Sequence, residues 1–108
     1  MDNFEATGQT ITFSAAVTAN GKPNSAPGSK DYLVVNRSSN WAFIGFGLTE
    51  VGAETAATVS GVDGGLSDAL PVAPLSEVIF AARGPTAFIA VSLDAGTGIV
   101  HVTPGNGS

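Results

Sequence analysis

"SSNWAFIGFG", residues Ser38 to Gly47, sets the only tryptophan of the chain between a polar turn and a run of alternating aromatic, aliphatic and glycine residues. In an extended chain Ala42, Ile44 and Phe46 fall on one side, and Trp41, Phe43, Gly45 and Gly47 on the other. Both sides carry large apolar groups, so the stretch predicts a strand central in a sheet or between two sheets. Gly45 and Gly47 strip side chains from the Trp41/Phe43 side, which admits a neighbouring backbone or ring, or marks a bulge. Trp41 is expected to be a core or interface anchor and not a ligand platform, because its neighbours along the strand are apolar rather than Asp, Asn or Arg.

Upstream, "DYLVVN" (Asp31–Asn36) predicts another strand, and "RSSN" after it has the length and composition of a four-residue hairpin connection. An antiparallel pair is the expectation. "TITFSAAV" (Thr10–Val17) alternates with Ile11, Phe13, Ala15 and Val17 on one face and polar or small residues on the other, which is the pattern of a half-buried strand. "ANGKPNSAPGS" (Ala19–Ser29) concentrates Gly, Pro, Asn and Ser and predicts a loop.

Downstream, from Leu48 to Pro74, the pattern loosens and predicts an excursion that can include a short strand around Ala56 to Val59. It carries Glu50, Glu54, Asp63 and Asp68, four of the nine acidic residues, and is the best candidate contact element. Order returns in "SEVIFAA", "TAFIAVSL" and "GIVHVTP", spaced as a meander with a tight turn at Gly84-Pro85 and a glycine-bearing hairpin loop over Asp94–Gly98. The whole pattern, without a convincing helix, predicts an all-β antiparallel sandwich or jelly-roll of about 6–8 short strands. Residues 1–9 form an N-terminal arm, and residues 10–108 one domain with the excursion at 48–74.

Composition narrows the function. The 108 residues are 44% hydrophobic and only 12% charged, about half the charged fraction usual for soluble domains, so Thr, Ser, Asn and Gly must cover the exterior. A net charge of −5 without a Lys/Arg cluster argues against nucleic acid. Cysteine is absent, which removes disulfides and thiolate sites. The start "MDNFEATGQT" lacks the basic and apolar regions of a signal peptide, and no apolar run reaches the ~20 residues of a membrane span. The expectation is a protein made and kept in a cytosol or in a particle assembled there, with no membrane contact. Without a secretion signal, the sequon matches at Asn36 and Asn106 carry no meaning.

Chemistry finds little to work with. "DGG" at Asp63 offers oxygen ligands but not the alternating acidic spacing of a calcium loop. The single histidine, His101, shares an outward strand face with Ile99 and Thr103, away from any serine and acid pattern of a triad. "GFGLTEVG" lacks the spacing of a dinucleotide-binding turn. No enzyme activity, metal or cofactor is expected.

The combination "VVNRSSNWAFIGFG", "LPVAPLSEVIF" and "TAFIAVSLDAGTGIVHVTPGNG" resembles small tailed-bacteriophage virion proteins of the capsid decoration or cement type. The resemblance runs from Leu33 onward; the segment before Lys30 and the excursion after Leu48 lie outside it. It implies an auxiliary β-sandwich on the outer capsid surface, made in the bacterial host cytoplasm, that bridges neighbouring copies of the major capsid protein. It also implies a homo-oligomer, with a trimer favoured over a dimer. The alternatives are a head-tail connector or tail component and a glycan-binding sandwich module on the virion, the latter without the usual aromatic platform. Interface candidates are Phe4, Trp41, Phe43, Val51, Leu66 and Leu70.

Overall fold

Alternating inward and outward side chains decide which faces of the strands meet. The computed structural model describes residues 4–59, 63–81 and 86–106. In chain order these residues form β1 (Glu5–Ala6), β2 (Ile11–Ala16), β3 (Asn20–Pro23), β4 (Asp31–Asn36), β5 (Ala42–Gly47), α1 (Glu50–Ala56), β6 (Leu70–Val72), β7 (Ser76–Ala81), β8 (Phe88–Leu93) and β9 (Thr97–Asn106).

One sheet places β9 between β4 and the pair β1 and β2, with β7 beyond β4; the other runs β3-β8-β5-β6. Every pairing is antiparallel, and the pairings nest: β2 with β9, β3 with β8, β4 with β7, β5 with β6. The chain is therefore one long double ribbon, folded back at α1 and rolled so that β4 also meets β9 and β5 also meets β8. That is the connectivity of a jelly-roll, and the all-β sandwich expected from the pattern is what the chain forms, with nine strands among the described residues.

The inward residues Phe13, Tyr32, Val34, Ile44, Ile89, Val91, Leu93, Val100 and Val102 fill the space between the sheets. Each large apolar side chain buried this way contributes about 1.5–3 kcal/mol. The Tyr32 ring lies 5.0 Å from that of Phe46, and its hydroxyl accepts a hydrogen bond from the buried Asn24 amide at 2.8 Å. The Asn24 amide also donates to the Thr86 carbonyl at 2.8 Å, tying the two sheets at that end.

At the opposite end the "RSSN" connection is not a hairpin. It carries the chain from β4 in one sheet to β5 in the other, and buried Asn36 holds the corner. The Asn36 amide nitrogen donates toward the carbonyls of Asn40 (2.9 Å), Val72 (3.2 Å) and Ala73 (3.1 Å), with two hydrogens serving three acceptors. Its oxygen accepts from the Ser38 N–H (3.0 Å) and hydroxyl (2.7 Å). The Ser38 carbonyl in turn accepts from the N–H of Leu75, whose φ of 54° places a bulky residue in the left-handed region. A residue larger than glycine at 98 would overlap the Ser38 side chain.

Several local expectations are corrected. The C-terminal segments do not meander: β7 and β9 lie in one sheet and β8 in the other, so the Asp94–Gly98 connection is a crossover rather than a hairpin loop. The expected loop at Ala19–Ser29 contains β3, because an edge strand tolerates Gly21 and Pro23 with one side unpaired. A helix, α1, occupies the excursion, and Ala56, where a strand was expected to start, is its last residue. Val17 lies past the end of β2 and is exposed instead of facing the core. Within the N-terminal arm, Glu5 and Ala6 pair with Asn106 and Gly105 of β9. The expected Gly84-Pro85 turn lies outside the described residues.

Removing the corner amide tests this arrangement. Asn36→Ala strands the Ser38 N–H and the carbonyls now held by the amide, each buried group left unmatched costing about 1–3 kcal/mol. Urea unfolding should show a loss on the order of 3 kcal/mol; a loss under about 0.5 kcal/mol, the level of an ordinary surface change, would contradict the clamp.

Candidate functional site

Directly beneath α1, the outer face of the β3-β8-β5-β6 sheet carries small residues. Gly45 and Gly47 of β5 and Ala90 of β8 present almost no side chain, and α1 lies directly on them through Ala53 and Ala57. A Cβ at Gly45 would overlap the Ala53 carbonyl oxygen and the Ala57 nitrogen, and one at Gly47 would sit 2.6 Å from the Ala53 nitrogen. The two glycines singled out in the opening stretch thus admit the backbone of a helix. Thr49 caps α1 by accepting from the Gly52 N–H at 3.0 Å, and Glu50 sits in its first turn, where a negative charge is favoured. The Ser92 hydroxyl donates to the Ala57 carbonyl at 2.8 Å, and the Glu54 carboxylate accepts from Gly21 N–H at 3.0 Å on edge strand β3.

On the side of α1 away from β3, a groove opens between the helix and residues 66–70. It has a lobe of about 270 Å³ lined by Phe46, Leu48 and Leu70, and a lobe of about 590 Å³ lined by Val59 and Leu66. Phe46, Ala56 and Asp68 line both lobes, and Asp68 is the only ionisable residue among the described lining residues. Phe46 belongs to the edge of the core, so the groove exposes part of the packed interior. Around it Leu48 is 68%, Val51 71% and Leu66 95% exposed, a concentration of apolar surface that marks interaction sites on folded domains.

The six sequence candidates separate. Leu66 and Leu70 line the groove, and Val51 stands on exposed helix surface beside it. Phe43 is half-buried on the same sheet face, opposite Ser92 and Pro71. Trp41 lies elsewhere, just before β5 at the Asn36 corner; its carbonyl accepts from the Asp94 N–H, and at 45% exposure it is not a core anchor. Phe4 sits on the other sheet against Gly105. Sequence reasoning missed Phe46 as a groove floor, and covered Leu48, Val59 and Asp68 only as members of the 48–74 contact element, without singling them out as interface residues. The available signal was apolar residues without periodicity in a polar, acid-bearing stretch.

The single histidine is occupied structurally. His101 Nδ1 hydrogen-bonds Thr12 at 3.1 Å on the outer face of the other sheet, and Val35 stands between it and Glu77 in register. Among the described residues no three His, Asp or Glu side chains converge as a metal site. No helix of the described residues is long and apolar enough to cross a membrane. No protein-family model, curated protein or solved structure matches the chain.

Two substitutions test this geometry. Gly45→Ala should lower stability by about 1–3 kcal/mol through overpacking against α1, whereas Gly28→Ala, which meets nothing within 4 Å, should be neutral or slightly stabilising. Equal effects in urea unfolding would contradict the tight helix seat. Trp41→Ala should cost less than about 1 kcal/mol, well below the ~3–5 kcal/mol of a core indole.

Proposed function

We propose that the protein is a non-enzymatic capsid decoration protein of a tailed bacteriophage, which binds the outer surface of the assembled shell and stabilises junctions between major capsid subunits. The observation that carries this is the exposed apolar surface around α1 and residues 66–70, on a domain otherwise poor in charge. Such a surface suits burial against another protein. The jelly-roll connectivity is compatible with the role, since this architecture recurs in viral structural domains. The resemblance of the segments from Leu33 onward supplies the choice of partner. Assembly as a homo-oligomer, a trimer ahead of a dimer, belongs to the same proposal.

A protein that binds assembled shells but not free subunits stabilises the shell by mass action, about 2.7 kcal/mol per site at a free concentration 100 times Kd. Particles lacking the protein should assemble but rupture at lower temperature or under milder osmotic shock. Purified protein should restore resistance saturably, at a copy number matching a symmetry position of the shell. Equal robustness of depleted and complete particles would overturn the proposal. Localisation to the tail alone would favour the connector alternative, and binding on a glycan array without shell binding would favour the lectin alternative.

A further inference from the structure

We propose that the groove between α1 and residues 66–70 docks a partner polypeptide segment that sets an apolar side chain on Phe46 and a lysine or arginine against Asp68. The apolar half of this requirement comes from the floor and rim. Phe46 and Leu70 are core residues with one side uncovered, and Leu48 and Leu66 stand exposed at the edges, so an inserted aliphatic or aromatic group would remove apolar area on both surfaces from water.

The charged half comes from complementarity. Asp68 is exposed, lines both lobes and has no ion pair among the described residues. Neither β5, α1, β6 nor residues 63–70 contain a Lys or Arg, so these described parts of the groove offer no cation to it. The other acids of the stretch, Glu50, Glu54 and Asp63, add the same sign, and Glu54 is already engaged by Gly21. An acidic or purely apolar segment would leave Asp68 beside desolvated surface without a counter-charge, whereas a cation next to the anchor satisfies it. A long cationic side chain can also lay its methylene stem along Leu66 while its head reaches the carboxylate.

The identity of the partner as a shell subunit rests on the function proposed above; the chemistry of the segment does not. The test is therefore made in two arms. In the first, isotope-labelled protein is titrated with the end-blocked hexapeptide GFKLRG, its acidic counterpart GFELEG and its apolar-deleted counterpart GSKSRG, following backbone amide shifts. Only GFKLRG should move Ala56, Val59, Leu66 and Asp68. Asp68→Asn should weaken it about three- to fivefold and remove most of its salt dependence. Leu66→Ser, at a site 95% exposed and so without cost to folding, should weaken it as well. Shifts confined to other surfaces, or an equal response to GFELEG, would overturn the inference. So would a fall in oligomeric mass on Leu66→Ser, which would assign the groove to a second copy of the chain.

In the second arm, shells from depleted particles are sedimented with wild-type protein and with the Leu66→Ser/Asp68→Asn double variant. Loss of co-sedimentation by the variant alone supports the groove as the shell contact. Equal binding of both overturns the groove and leaves the shell role standing. Absence of binding by wild-type protein overturns the shell role, and the peptide arm then decides the groove by itself.

Discussion

A single buried carboxamide, that of Asn36, holds the corner where the chain leaves one sheet for the other. The constraint matters because β4 and β5, the strands it joins, are interior strands of the two sheets. By gripping the carbonyls of Asn40, Val72 and Ala73 and the N–H of Ser38, the amide also fixes the path from β6 to β7. Register in a half-buried strand is unforgiving, since a slip of one residue turns every side chain to the wrong face. The alternation of Tyr32, Val34 and Asn36 inward, matched by Ala42, Ile44 and Phe46 from the other sheet, therefore depends on where that corner is pinned.

The two faces of β5 then do different work. Its inner face completes the core through Ala42, Ile44 and Phe46, while its outer face is emptied at Gly45 and Gly47 to seat a seven-residue helix. So short a helix has little stability of its own, and its order comes from close contact with the sheet, the Thr49 cap and the hydrogen bonds of Glu54 and Ser92. The groove lies beside the helix at the end of β5, lined there by Phe46 and Gly47. Phe46 thereby serves both the interior and the surface.

The sequence made the strands legible wherever alternation was strong: β2, β4, β5, β7 and β8 fall within stretches patterned with period two, and β9 extends at both ends past the one read for it. It made the sandwich legible through strand number and turn spacing. The partners of each strand were not, because "RSSN" and "DAGTG" have the composition of hairpin turns and nothing local distinguishes a turn within a sheet from a crossover between sheets. What decides is long-range: the Asn36 amide finds its acceptors at residues 72 and 73, far along the chain. Helix α1 escaped because its buried face is alanine packed on glycine, which produces no apolar periodicity. Of the site, Leu66 and Leu70 were anticipated from the loosened, acid-rich stretch, while the role of Phe46 needed the position of α1.

The nesting of the strand pairs governs the order in which the chain can fold. Ile11 meets Val102 and Phe13 meets Val100, so the first long strand waits for the last before either finds its neighbour. Closing loops of that size costs entropy before any contact returns it, and topologies dominated by distant pairings fold slowly. On a ribosome β2 would remain without its partner until β9 had emerged, and the interior residues of β4 and β8 would wait uncovered with it. Of the nested pairs, β5 with β6 around α1 has the shortest stretch of chain to close, which makes that end of the molecule the natural place for folding to begin and the β2·β9 seam the place where it finishes.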